Sequence, residues 1–247
     1  MSKVVVITGA SAGIGAATAE LLGANGLSVA LVARRADALA AVAARSGATA
    51  LPIRADVTDR AEVKRVVQVA IRHYGRIDVW INNVGQGITR MPTQLTDADI
   101  DEIMRVNVKS ALYGMQEVLP HFMERGDGHV INVSSMLGRI PYSAMRSAYV
   151  GAKHFLNALT ATFRQEVQQT HPNIQFSIVS PPVVRTDFGI NARHGGPDSR
   201  TLPNSQGADE VAHVIARVIE TRAPDVYTRA GAREQVAKYY ASVGADA

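Results

Sequence analysis

The sequence predicts an α/β fold built on a parallel sheet, and three observations carry that prediction. Short apolar runs rich in β-branched residues recur along the chain, Val4 to Ile7 first among them, in the pattern of strands covered on both faces. Amphipathic stretches with helical spacing separate these runs, so strand and helix alternate. The first run passes directly into Thr8-Gly9-Ala10-Ser11-Ala12-Gly13-Ile14-Gly15, a glycine turn that opens a helix. A sheet assembled in this way presents its ligand site beyond the carboxyl ends of its strands.

Bulk properties narrow the possibilities. The chain has 247 residues, 47% of them hydrophobic, enough for a sizeable core, and a single domain over 1–247 is expected. Net charge is +4, but the basic residues are scattered into short clusters such as Arg34-Arg35 and Lys64-Arg65, which argues against nucleic-acid binding. Cysteine is absent, which removes disulfides, thiolate nucleophiles and thiolate metal sites and fits a reducing compartment. The seven histidines show no ligand spacing, so no metal site is expected. The apolar run behind Met1-Ser2-Lys3 is too short for a signal peptide or a membrane span, and no later run reaches about 18 apolar residues. The expectation is a soluble cytoplasmic protein without a membrane or nucleic-acid partner.

In order, the glycine turn leads into a helix ending near Gly23 to Gly26. Its glycines let backbone approach a pyrophosphate, whose charge helix N-terminal amides can hold. The spacing is G-x-x-x-G-x-G, weak by itself and strengthened by its place after the first strand. The second strand, Ser28 to Ala33, runs into Arg34 and Arg35. An NAD site places an acid at this point for the adenosine ribose, whereas Ala33 stands there and arginine follows. A guanidinium can grip a 2′-phosphate in a bidentate, charge-assisted way, so the cofactor is predicted to be NADP(H). Two arginines could also simply solvate a strand edge.

A helix over about Ala36 to Arg45 and a strand over Thr49 to Arg54 lead to Asp56-Val57, where a short acid could meet an adenine amino group or serve only as a helix cap. A helix from Ala61 to Tyr74 precedes a fourth strand, Ile77 to Ile81, which ends in Asn82-Asn83-Val84-Gly85. Thr96-Asp97-Ala98-Asp99 marks a helix start, and an apolar face follows from Ile100 through Ile103, Met104, Val108 and Ala111 to Phe122. Asn107 falls on that stripe, as a packing amide or a catalytic one. A fifth strand, His129 to Ser135, delivers Ser134 and Ser135 at its carboxyl end. A helix then runs from about Tyr149 to Gln169 with Tyr149 and Lys153 on one face, where a fixed ammonium would lower the phenol pKa toward the working range. A sixth strand (Ile174 to Val179), an irregular stretch with lid character over about 187–207, a helix through Val211 to Val218 and a short strand at Asp225 to Thr228 complete the chain. Arg185, Arg193, His194 and Arg200 in or beside the irregular stretch either attract an anionic substrate or solvate the loop.

Taken together, Thr8-Gly9-x-x-x-Gly13-x-Gly15, Asp56, Asn82-Asn83-Val84-Gly85, Asn107, Ser135, Tyr149-x-x-x-Lys153 and Pro181-x-x-Val184-x-Thr186 resemble the short-chain dehydrogenase/reductase family over essentially the whole chain. The resemblance implies a seven-stranded doubly wound Rossmann sheet and a catalytic tetrad of Asn107, Ser135, Tyr149 and Lys153. In that reading Ser135, rather than Ser134, binds the substrate oxygen, because Gly138 follows it by three. Tyr149 exchanges the proton, Lys153 tunes it and holds the nicotinamide ribose, and Asn107 anchors a relay water. The cofactor would lie along Gly9, Ser11, Gly13, Ile14, Gly15, Arg34, Arg35, Asp56, Val57, Asn83, Gly85, Pro181, Val184 and Thr186. The implied function is NADPH-dependent reduction of a ketone or aldehyde; epimerisation or dehydration on the same tetrad, or a non-catalytic sensor, are the alternatives. A dimer or tetramer is implied through the helix from Tyr149 and the C-terminal strand and helix. Three departures stand out: Val84 for the usual alanine, Pro182 for the usual glycine, and one extra residue between Ser135 and Tyr149.

Overall fold

A computed structural model describes residues 2–244. Seven strands form one parallel sheet: β1 (Val4–Thr8), β2 (Ser28–Ala33), β3 (Leu51–Arg54), β4 (Val79–Asn82), β5 (Gly128–Val133), β6 (Ile174–Ser180) and β7 (Asp225–Tyr227), in the order β3-β2-β1-β4-β5-β6-β7. Every neighbouring pair is parallel. The chain therefore winds outward twice from β1 and β4, and the crevice between their carboxyl ends is where such sheets bind ligands.

The unalternating strands are explained by burial on both faces. Val5 and Ile7 of β1 pack with Leu22, Leu39 and Ile215 on one side of the sheet, while Val6 packs with Val66, Trp80, Val118 and Phe176 on the other. Helices α1 (Gly13–Ala24), α2 (Ala36–Arg45) and α7 (Ala208–Thr221) supply the first layer; α3 (Arg60–Tyr74), α5 (Ser110–Arg125) and α6 (Ser147–Gln168) supply the second. A final helix, α8 (Ala232–Ser242), follows β7. Among the described residues no helix is long and apolar enough to cross a membrane.

A buried chain of hydrogen bonds fixes α6 to the sheet. Trp80 Nε1 donates to Asn82 Oδ1 (2.7 Å), Asn82 Nδ2 to Asn132 Oδ1 (2.8 Å), and Asn132 Nδ2 to Thr160 Oγ1 (2.8 Å). Each of these polar groups is satisfied, as burial requires. Asn82 thus belongs to the sheet, and the turn that follows begins at Asn83.

The continuous helix expected from Thr96 to Phe122 is interrupted. Thr96 and Asp99 form the capping box of α4 (Asp97–Met104), but a π turn over Arg105–Lys109 separates it from α5. The inserted turn shifts the phase of the apolar stripe, so a face that suits Ala111 to Phe122 does not continue back to Ile100, which is exposed. Asn107 lies within this π turn and is fully buried.

Candidate active site

The helix α1 starts at Gly13 with Ala12 as its N-cap, no side-chain cap and no acid in the first turn. Its leading amides, at Gly13, Ile14 and Gly15, therefore meet no carboxylate or hydroxyl of their own and can receive an anion. Gly13 has φ +56, and a Cβ on Gly15 would collide with the Gly9 carbonyl, so the turn accepts no side chain at either position. Thr186, remote in sequence, sits over it: its Cγ2 lies 3.0 Å from where a Gly13 Cβ would stand. Asn83 braces the turn from β4, donating through Nδ2 to the Thr8 and Gly9 carbonyls at 3.2 and 3.3 Å, so this amide shapes the cradle.

At the end of β2, Ala33 is buried and Arg34 and Arg35 are exposed. Arg35 reaches across the turn, its Nη2 donating to Ser11 Oγ at 3.1 Å. No acid occupies 33–35, and this corner is electropositive. Asp56 accepts from the Thr58 amide (3.0 Å) and hydroxyl (2.7 Å), forming its own turn, while Asp59 is the residue that caps α3. Burial raises the Asp56 carboxyl, but those two bonds with the charges of Arg34 and Arg105 hold it below the usual range. Val57 is buried beside it.

The tetrad predicted from the sequence assembles at the carboxyl ends of β4 and β5. Ser135 caps a short 3₁₀ turn, its Oγ accepting from Leu137 N at 3.1 Å, and it lies near enough to the Tyr149 hydroxyl to draw the phenol pKa down. Lys153, one turn along α6 and 3% exposed, donates from Nζ to the Val133 carbonyl at 2.9 Å and stands 5.7 Å from the centre of the Tyr149 ring. A Cβ on Gly85 would lie 3.1 Å from Asn107 Oδ1 and 3.6 Å from Lys153 Nζ, so the three meet at one point. Pro181 closes the floor, its carbonyl accepting from Met136 N at 2.8 Å; buried Val184 follows, and the Thr186 hydroxyl accepts from Phe188 N at 3.3 Å.

One expectation is corrected. Tyr149 is not pulled down by its lysine: burial pushes the phenol up to about 12, opposed only by the Ser135 hydrogen bond and the Arg146 charge. Lys153 is itself buried, which brings its amine down to about 8 and turns its proton toward Val133. Asn107 has both Nδ2 protons engaged by main-chain carbonyls. Its Nδ2 donates to the Gln86 and Ile103 carbonyls, each at 3.0 Å, and its Oδ1 accepts from Gln86 N at 3.1 Å, so the side chain clasps the segment after Gly85 to the π turn.

Of the cations in and beside the 187–207 segment, Arg185 and Arg200 are exposed, as the solvating alternative expects, whereas Arg193 and His194 are tied into the fold. Arg193 and His194 reach Asp99 Oδ1 at 2.6 and 2.8 Å, and Arg90 holds Asp99 Oδ2 at 2.8 Å. Asp99 is fully buried, so this carboxylate ties the segment to the start of α4. Arg200 pairs with Asp187 and Asp198, and Arg185 with Glu210. Sequence reasoning saw Asp99 only as a helix start; Arg193 and His194 lie some 95 positions away, and no local signal announces them. It also passed over Arg146 and the contact between Phe188 and Tyr149, whose rings meet edge to face at 5.5 Å.

A parallel sheet that reverses its winding beside an uncapped helix N-terminus, with a strand-end serine beside a helix-borne tyrosine, fits a class of nucleotide-dependent oxidoreductases. The short chain dehydrogenase family model matches residues 3–196, and the chain belongs to that family. An uncharacterized oxidoreductase of Staphylococcus saprophyticus is 38% identical over 187 residues, covering 75% of this chain and 76% of that protein. A short-chain dehydrogenase from Sphingobium yanoikuyae, solved in complex with NADPH, is 29% identical with TM-score 0.80, covering 99% of this chain and 97% of that one. A short chain dehydrogenase/reductase from Burkholderia phymatum, solved in complex with NAD, superposes with TM-score 0.87 over 96% of this chain and 92% of its own, at 23% identity, a likeness of fold.

Proposed function

We propose that this oxidoreductase reduces a ketone or aldehyde to the alcohol, reversibly, with NADP(H) as cofactor and Tyr149 as the proton donor. The observation that carries the reading is the convergence of Ser135, Tyr149 and Lys153 beside a glycine cradle whose helix amides are uncapped. The residues fit a dinucleotide: Gly13 to Gly15 would receive the pyrophosphate, Asp56 and Val57 would flank the adenine, and Lys153 with Thr186 would hold the nicotinamide end. Preference for the 2′-phosphate is supported by Arg34, Arg35 and Ser11 at the end of β2, where no carboxylate would repel it. When bound, the cofactor supplies the hydride.

The chain's own groups supply the proton. Ser135 orients the substrate oxygen, and Tyr149 delivers its hydroxyl proton to that oxygen as the carbonyl carbon is reduced. A phenol pushed up to about 12 is protonated at neutral pH, which suits it to the reductive direction. The reading includes one domain over 1–247, a lid over about 187–207, a homodimer or homotetramer and a cytoplasmic setting. Its test is NADPH consumption, compared with NADH, against ketones, aldehydes, β-keto esters and quinones at neutral pH. Consumption with NADPH is expected; equal use of NADH would remove the phosphate assignment, and silence across the panel despite tight NADPH binding would remove the reductase.

A further inference from the structure

Arg146 is a cation of this site that, among the described residues, has no counter-ion. Its Nη1 donates to the Ile88 carbonyl at 3.0 Å, and among the described residues no ion pair joins it to a carboxylate. Its neighbours differ in this respect, since Arg90, Arg193 and His194 share Asp99 and Arg200 holds Asp187 and Asp198. Arg146 is half-buried, and loss of water pushes its guanidinium below the usual arginine range. A partly desolvated charge of this kind is costly unless an anion approaches it.

Its position says where that anion would come from. Arg146 immediately precedes α6, three residues before Tyr149, and the two groups bias each other's titration. A Cβ on Gly87 would stand 2.9 Å from Arg146 Nη1 and 3.0 Å from Phe188 Cε1. Phe188 in turn packs on Tyr149, so guanidinium, ring and phenol belong to one wall. Two further polar atoms here are buried without partners, Thr89 Oγ1 and Gln86 Oε1. The Thr89 hydroxyl and Arg146 Nη2 both border Gly196, each 3.0 Å from the place of a Cβ there, with the Gly189 carbonyl oxygen nearer at 2.6 Å.

We propose that Arg146 is a specificity-determining residue that takes a carboxylate carried by the carbonyl substrate, with the Thr89 hydroxyl as a second donor. The proposal rests on the reductase reading and names its substrate class as an oxo acid. One planar guanidinium and one hydroxyl match the single charge and two oxygens of a carboxylate, whereas a dianionic phosphate would call for a second cation. The arginines and histidine latched to Asp99 are tied to a carboxylate of the protein, whereas Arg146 is not.

The test compares 3-oxobutanoate and 4-oxopentanoate with their methyl esters as NADPH-dependent substrates of the parent, Arg146→Met, Arg146→Lys and Thr89→Val. The parent should favour the acids, and Arg146→Met should lower the acid-to-ester ratio of kcat/KM by about a hundredfold, mainly through KM, with Arg146→Lys recovering part of it. A parallel fall for acid and ester, the signature of a clamp that merely holds the loop at Ile88, would overturn the proposal, as would a parent indifferent to esterification. Calorimetric binding of pentanoate, which has no carbonyl to reduce, separates the two readings. Binding that weakens at least tenfold in Arg146→Met upholds the anion site even if no carbonyl compound turns over. Reduced esters with no pentanoate binding refute the anion site and leave the reductase standing.

Discussion

Tyr149 works under opposing influences, and their balance predicts its behaviour. Burial keeps the phenol protonated, with a pKa of about 12, while Ser135 and Arg146 pull the other way and lose. Proton donation in the reductive direction should therefore be insensitive to pH through the neutral range. Alcohol oxidation needs the phenolate, about one part in 10⁵ at pH 7, and should climb with pH. Rate profiles in both directions check this, and an oxidation rate flat from pH 7 to 10 would contradict it. Tyr149→Phe should cost about 10²–10⁴-fold in reduction, with NADPH affinity nearly intact; activity within tenfold of the parent would remove Tyr149 from the mechanism. At the end of β2, Ala33→Asp with Arg34→Ile places a carboxylate where the 2′-phosphate would lie. Preference should move toward NADH, and an unchanged ratio of the two kcat/KM values would refute the assignment of the phosphate to this corner.

Between elements, the decisive contacts are made by buried polar groups. The capping box of α4 puts Asp99 where Arg90, Arg193 and His194 converge, so one carboxylate caps a helix and latches a segment from the far end of the chain. Hydrogen bonds from Arg193 and His194 hold its pKa far below the ordinary carboxylate value. A carboxyl whose folded pKa is depressed contributes stability that is present above its unfolded pKa, about 3.9, and is lost as pH falls through that value toward the folded one. The parent should thus be more stable than Asp99→Asn above about pH 4, and the gap should narrow progressively as pH falls below about 4. Urea midpoints across that range measure it; parallel curves would show that the latch adds nothing. The same substitution should raise proteolytic cleavage within 187–207, since Arg193 and His194 lose their anchor.

Across the molecule, the cofactor would bridge both halves of the sheet at the β1–β4 reversal, so its binding should stabilise the whole fold. At 100 times its dissociation constant NADPH should add about 2.7 kcal/mol to unfolding, seen as a raised Tm, and NADH at the same concentration should add less. Equal shifts from the two would count against the phosphate site. The sheet was legible from the chain because both faces of each inner strand are covered, which forces apolar runs, and because the glycine turn obeys backbone geometry that no other residue satisfies. Ser135, Tyr149 and Lys153 were legible for a similar reason, since strand ends and helix spacing place them locally. The π turn at Asn107 was not, because helical period alone cannot reveal one inserted residue. The sequence by itself determined the alternation of strands and helices, the glycine cradle and the residues that could carry a proton. Only the tertiary structure decided that burial raises the Tyr149 phenol, that Asn107 is a clasp, and that Asp99 gathers the distant cations while, among the described residues, Arg146 pairs with no carboxylate. Charge balance and desolvation depend on which groups become neighbours in space, and local spacing carries no record of a partner some 95 residues away.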